Sequence, residues 1–326
     1  MPSHELAIHV HNLTKRYGPD PGGVLALDAV SFDVPPGMVF GYLGPNGAGK
    51  TTTIRLLTGL SKPTAGEARV LGLDVAREAA RVKKRIGVVP ETSNLYDELT
   101  CYDNLAFSMQ LYGVPRAERD PRATALLERF RLADKRDVPF AKLSRGMKRA
   151  LTIAAALAHR PAIVFLDEPT TGLDVMAARN LRAMIAGLRD EGVTVFLTTH
   201  YLEEAERLCD RVALIVGGRI VALDSVDNLK AQLRAETAVE LVLGNGDEAA
   251  ETRRIVAPDV PAAVRQALDQ AAADGRSVLA VNTVRPTLED VFVRLTGLST
   301  DAMRAPGVAA PGVAAPFLAR EKGGKA

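Results

Sequence analysis

Three features of this chain specify an α/β protein with a helical middle segment and a small α/β appendage. A glycine-rich stretch, Gly44-Pro45-Asn46-Gly47-Ala48-Gly49-Lys50-Thr51, sits between a short apolar run and a segment of helical spacing. A second apolar run, Ile163-Val164-Phe165-Leu166, ends in the adjacent carboxylates Asp167 and Glu168. Near Asp224 the organisation changes, and short strand and helix patterns follow.

The N-terminal segment reads as β. Ala7-Ile8-His9-Val10 and the alternating Val30, Phe32 and Val34 suit half-buried strands. Residues 38–43 form the apolar run that enters the glycine-rich loop. In residues 52–60, Ile54, Leu57 and Leu60 recur along one side of a helix. Residues 95–160 are mainly helical, punctuated by Pro115, Pro121 and Pro139. Ser144 is placed to cap a helix that runs to about His159 and stops at Pro161. The small side chains of Ala150, Ala154, Ala155 and Ala158 would let that helix pack closely.

Three strand patterns follow at residues 162–166, 193–198 and 212–216, and Gly217-Gly218 turns the chain into residues 219–223 as a hairpin. The appendage reads as a strand at 238–243, a helix near 261–273, a strand at 278–281 and a last helix capped by Thr287. The expected division is therefore residues 1–225, with the helical part at about 95–160, then 226–299, then a tail at 300–326. In the tail Ala305-Pro306-Gly307-Val308-Ala309 recurs unchanged at 310–314, and such a segment lacks the large apolar residues that offset ordering entropy, so flexibility is expected.

With 326 residues, the chain suffices for one large domain plus an appendage. Its 47% hydrophobic and 25% charged content is that of a soluble globular protein. A formal charge of +2 with no basic stripe gives no expectation of a nucleic-acid partner. Cys101 and Cys209 are far apart and form neither a metal spacing nor a disulfide framework, which fits a reducing interior. The N-terminus lacks a basic region followed by an apolar core, so no signal peptide is expected. No run approaches the roughly 20 apolar residues of a membrane span, so any membrane role needs another chain to supply the spans.

The glycine-rich loop implies a bound nucleoside triphosphate. Dense negative charge calls for many inward-pointing N–H donors, and Gly44, Gly47 and Gly49 permit that curvature. The following helix directs its positive end at the phosphates. Lys50 adds a full charge near the β and γ oxygens, and the Thr51 hydroxyl is a ligand for Mg²⁺. Asp167, at a strand end, either merely terminates that strand or faces the site and holds the metal through water. The next side chain on a strand points elsewhere, so Glu168 is assigned to polarising the attacking water. His200 closes the run Val195-Phe196-Leu197-Thr198-Thr199. It is either a packing residue or a neutral imidazole that contacts the γ-phosphate or the water and holds Glu168. Tyr17 is either a packing residue or an aromatic face for adenine.

On these motifs the chain resembles the ATP-binding subunit of an ABC transporter, of the type serving ABC-2 class exporters. Tyr17 matches the A-loop, Gly44 to Thr51 the Walker A loop, Leu143-Ser144-Arg145-Gly146-Met147 the signature, Asp167 and Glu168 Walker B, Gly172-Leu173-Asp174 the D-loop, and His200 the switch histidine. The resemblance implies a P-loop NTPase of ABC type with an antiparallel β subdomain, a helical subdomain and a C-terminal extension closing on residues 286–292. It implies ATP and Mg²⁺ as cofactors, with Glu168, His200 and Lys50 catalytic. ATP contacts extend to Pro45, Asn46, Ala48, Thr52, Glu91, Ser144, Gly146 and Asp174, and the metal ligands are Thr51, Glu91 and Asp167. A head-to-tail homodimer with two ATPs between its subunits is implied, placed at the cytoplasmic face of the cell membrane through a separate permease.

Three positions, in two motifs, depart from the family pattern. Arg145 and Met147 stand where the signature commonly has Gly and Gln, and Glu91 stands after Val88-Val89-Pro90 where Gln is frequent. Asp97-Glu98-Leu99-Thr100, just downstream, are expected near the surface that receives the permease. The competing function is an ABC-type ATPase acting on nucleic acid or ribosomes, which this chain's composition does not favour. A small-molecule kinase would leave the signature and His200 without a role.

Overall fold

The computed structural model describes residues 6–19, 22–233, 238–244, 251–256, 259–284, 286–299 and 303. Apart from Met303, the tail expected to be flexible lies outside the described residues. The chain divides into two compact units, one of residues 1–223 with the stretch from 301, the other of residues 224–300.

The first unit carries two sheets. Strands β1 (Ile8–Tyr17), β2 (Val24–Val34), β4 (Ala65–Val70) and β5 (Leu73–Asp74) form an antiparallel sheet in the order β2-β1-β4-β5. In β2 the buried Val30, Phe32 and Val34 alternate with exposed Ser31 and Asp33, as the pleat requires. Strands β3 (Val39–Leu43), β6 (Ile86–Val89), β7 (Ile163–Asp167), β8 (Thr194–Thr199), β9 (Arg211–Val216) and β10 (Arg219–Ser225) form the second sheet in the order β10-β9-β3-β8-β7-β6.

The run from β9 to β6 in that order is parallel. Every residue of β3, β7 and β8 is buried, which is why they read as unbroken apolar runs rather than alternating ones. Phe32 of the first sheet meets Phe40, Tyr42 and Phe196 of the second with ring centroids 5.5 to 6.1 Å apart, so one core serves both sheets.

The helices of this unit are α1 (Lys50–Leu57), α2 (Ala79–Lys83), α3 (Cys101–Leu111), α4 (Arg116–Arg129), α5 (Arg145–Leu157), α6 (Val175–Asp190) and α7 (Leu202–Leu208). The first ends three residues before the expected Leu60, because Gly59 at φ +66° turns the chain out of the helix. Pro115 immediately precedes α4, but Pro121, expected to interrupt a helix, lies inside it. The buried Ala123 and Leu127 anchor the helix past the one backbone donor that Pro121 removes. Ser144 caps α5 by accepting from Met147 N at 3.3 Å. Its alanine face is buried as expected.

The second unit comprises α8 (Val226–Ala231), β11 (Ala238–Gly244), β12 (Glu251–Val256), α9 (Val260–Ala273), β13 (Ser277–Val284) and α10 (Leu288–Thr296). Val239, Leu241 and Leu243 of the central strand pack on Ala263, Ala267 and Ala271 of α9. The edge strand β12 was not expected: Glu-Thr-Arg-Arg-Ile-Val shows no alternation, and the strand exists through its antiparallel pairing with β11. Among the described residues no helix is long and apolar enough to cross a membrane.

Candidate active site

The parallel register gathers the site. Leu43 pairs with Thr199, and Asp167 with Thr198, so β3, β8 and β7 end level with one another. Ligands of such sheets bind in the crevice beyond these carboxyl ends. The loop leaving β3 is forced to be glycine at two points. A Cβ on Gly44 would stand 2.1 Å from Ile215 O, and one on Gly49, at φ +108°, would stand 2.6 Å from Ala26 O. Gly49 opens directly into α1, whose N-terminal N–H groups form an anion-binding end.

Lys50, buried, donates through Nζ to Gly44 O at 2.7 Å and Pro45 O at 3.2 Å. The same Nζ lies 3.2 Å from Glu168 Oε1. Thr51 Oγ1 donates to Asp167 Oδ2 at 3.0 Å, and Thr198 Oγ1 donates to Asp167 Oδ1 at 2.5 Å. Thr51 and Asp167 are thus a hydroxyl and a carboxylate brought together beside the phosphate loop, a hard-oxygen donor set that fits Mg²⁺.

Glu168 turns the other way. Its φ of +48° is left-handed, and its N–H donates to Thr198 O at 3.1 Å. Oε2 accepts from His200 Nδ1 at 2.9 Å and, longer, from Thr171 Oγ1 at 3.4 Å. Oε1 is buried against the Lys50 ammonium in an ion pair of 3.2 Å. Burial pushes the Glu168 carboxyl up, but the His200 hydrogen bond and the Lys50 charge outweigh it, and its pKa lies below the usual carboxylate value. Glu168 is therefore a carboxylate at neutral pH, held between Lys50 and His200.

The other expected site residues fall into separate groups. Pro45 and Ala48 are buried in the phosphate loop, Asn46 and Gly47 are exposed at its tip, and Thr52 continues into α1. Tyr17, 38% exposed, ends β1 opposite Val24 with Lys15 Nζ 4.9 Å over its ring. The Glu91 carboxylate is exposed and makes no hydrogen bond or ion pair among the described residues. Ser144, Gly146 and Asp174 are not part of the Lys50 cluster. They line a cavity of about 320 Å³ with Met147, Met176 and Ala177. Asp174 is engaged there as the N-cap of α6, accepting from Ala177 N at 2.8 Å. The guanidinium of Arg145 lies over Gly172, where a Cβ would come within 2.3 Å of its Cζ.

Two participants were not expected from the sequence. Thr198 carries no motif of its own. Arg149 did leave a signal: a cation four residues before Ile153 and seven before Ala156 falls on the buried stripe of α5. Burial pushes its pKa down to about 10, against the opposing charges of Asp167, Glu91 and Glu168, so it stays charged at neutral pH.

Comparison with known proteins adds the following. The profile of the family described as ABC transporter matches residues 27–171. The daunorubicin/doxorubicin resistance ATP-binding protein DrrA of Streptomyces peucetius is 36% identical over 314 residues, covering 90% of this chain and 94% of that protein. The Nod factor export ATP-binding protein I of Ralstonia nicotianae is 38% identical over 311 residues, covering 89% and 94%. A solved dimer of an ATP-binding cassette, in a post-hydrolysis state bound to ADP and Pi, superposes with a TM-score of 0.62 at 26% identity, covering 67% of this chain and 98% of that one.

Proposed function

The chain belongs to the ABC transporter family as an ATP-binding subunit that hydrolyses ATP, and from that premise we propose that two copies close head to tail on two ATP molecules to drive export through a separate permease. The observation that carries this reading is the separation of two phosphate-binding elements within one chain. Lys50, Thr51, Asp167, Glu168 and His200 converge at the strand ends, while Ser144 and Gly146, at the exposed start of α5, line a different cavity. A helix N-terminus that does not serve its own chain's phosphate loop is suited to the γ-phosphate held by a second copy.

In this reading residues 44–52 cradle the phosphates, and Tyr17 offers its ring to adenine. Lys50 neutralises phosphate charge, and Glu168 polarises the attacking water with His200 fixing the carboxylate. Thr51 and Asp167, with Glu91 from the loop after β6, would hold Mg²⁺, and the metal when bound would supply charge neutralisation on the phosphates. Ser144, Gly146 and Asp174 act on the partner's nucleotide. Loss of γ-phosphate removes the bridging contacts and loosens the dimer.

Relatives named for drug resistance and for Nod factor export support the ABC-2 exporter subgroup. Their names differ in cargo, and in this reading cargo choice belongs to the permease. The subunit then sits at the cytoplasmic face of the membrane, with residues 97–100 toward the permease.

The test uses Glu168→Gln, which should bind ATP and accumulate dimers in sedimentation velocity while turnover falls about 10²–10⁴-fold. In that background Ser144→Asp keeps a good N-cap for α5 but sets a carboxylate against the partner's γ-phosphate. It should bind ATP and stay monomeric. Dimers that survive Ser144→Asp, or wild-type turnover in Glu168→Gln, would refute the reading.

A further inference from the structure

Arg149 is buried, and among the described residues it forms no ion pair with a carboxylate. Its guanidinium instead serves four backbone carbonyls. Nη2 donates to Asp167 O at 2.7 Å and Nε to Pro169 O at 2.8 Å. Nη1 donates to Pro90 O and, at 3.2 Å, to Glu91 O. The first two carbonyls belong to Asp167 and Pro169, the residues immediately before and after Glu168. Glu168 is one of the few residues other than glycine with a left-handed backbone, at φ +48°. Such a conformation persists in a residue with a Cβ only where the surroundings over-determine it. The other two carbonyls belong to the loop carrying Glu91, and Arg149 itself rides on the helix that Ser144 caps.

We propose that Arg149 is a positioning residue for Glu168: it grips the carbonyls of Asp167 and Pro169, the residues on either side of Glu168, holds the backbone turn that delivers the carboxylate to His200 and Lys50, and makes that turn conditional on the placement of α5 and the Glu91 loop. A planar fork of N–H donors reaches carbonyls on several sides at once, and an ammonium on a flexible stem does not. Movement of α5 or of the Glu91 loop is thereby transmitted to the water-polarising carboxylate through one side chain. The inference rests on the reading of Glu168 as the group that polarises the attacking water.

Steady-state turnover and binding of a fluorescent ATP analogue test it in the full chain carrying Arg149→Lys, Glu168→Gln or both. Arg149→Lys should lower kcat by roughly 10- to 100-fold with KM for ATP changed by less than about twofold. It should add no further loss in the Glu168→Gln background, because its effect passes through Glu168. Wild-type kcat in Arg149→Lys, or a loss that multiplies with that of Glu168→Gln, overturns the proposal. Arg149→Gln is the second variant. If neither it nor Arg149→Lys shows a cooperative melting transition, Arg149 serves stability alone and the proposal fails. Full turnover in Glu168→Gln by itself would instead remove Glu168 from its role and take this inference with it.

Discussion

His159 stacks on Tyr112 with ring centroids 3.6 Å apart, donates from Nε2 to Ile86 O at 2.9 Å, and buries Nδ1 without a partner among the described residues. Since Ile86 O accepts, Nε2 carries the hydrogen, and protonating Nδ1 would bury a charge beside Arg122. Burial lowers the His159 pKa below its ordinary value, Arg122 adds to the effect, and the hydrogen bond to Ile86 opposes it. The unfolded chain then binds the proton more readily than the folded one, so stability rises with pH between the folded pKa and about 6.5. Stability is fully present above that window and is lost as pH falls into it. Urea denaturation at pH 5.5 and 7.5 should show a smaller acid-side loss in His159→Gln than in the parent. An equal loss would remove His159 as its source. Lys50, Thr51, Asp167, Glu168 and His200 were all legible as candidates because their chemistry belongs to short motifs. For Arg149 the helical spacing marks only its place on the buried stripe of α5; its partners are backbone carbonyls, which leave no trace in residue identity.

Caps decide where several helices of this protein begin. Thr287 Oγ1 accepts from Asp290 N at 3.2 Å while Asp290 Oδ2 accepts from Thr287 N at 2.7 Å, a reciprocal box that starts α10. The helix then buries Leu288, Val291 and Phe292. Thr287→Ala should cost about 1 kcal/mol, read as a lower urea midpoint for α10 and its neighbours by hydrogen exchange. No change in protection along residues 288–296 would count against the cap. Thr287 and Ser144 were both read as caps from sequence, since a cap is set by residues three apart. Pro121 was misread and β12 missed for the opposite reason. Tertiary packing keeps α4 helical through its proline, and pairing with β11 makes a strand of residues without strand alternation.

Across the first unit, the phosphate loop, the two carboxylates and His200 come from three strands of one sheet. ATP that binds only this folded arrangement should stabilise it, by about 2.7 kcal/mol at a hundred times Kd. In Glu168→Gln, the variant proposed above to slow hydrolysis, saturating ATP with Mg²⁺ should raise Tm by several degrees, and adding Lys50→Ala should abolish the rise. An undiminished shift in the double variant would detach Lys50 from the phosphates. Residue types and spacing were enough to specify the phosphate loop, its helix, the carboxylate pair and the α/β architecture, because each is written within a few consecutive residues. The placement of Glu168 between Lys50 and His200, the division of the motifs into two groups, and the grip of Arg149 depend on long-range registration. Parallel strands align through hydrogen bonds between distant segments, and a contact between residues far apart in sequence exists once that alignment is made.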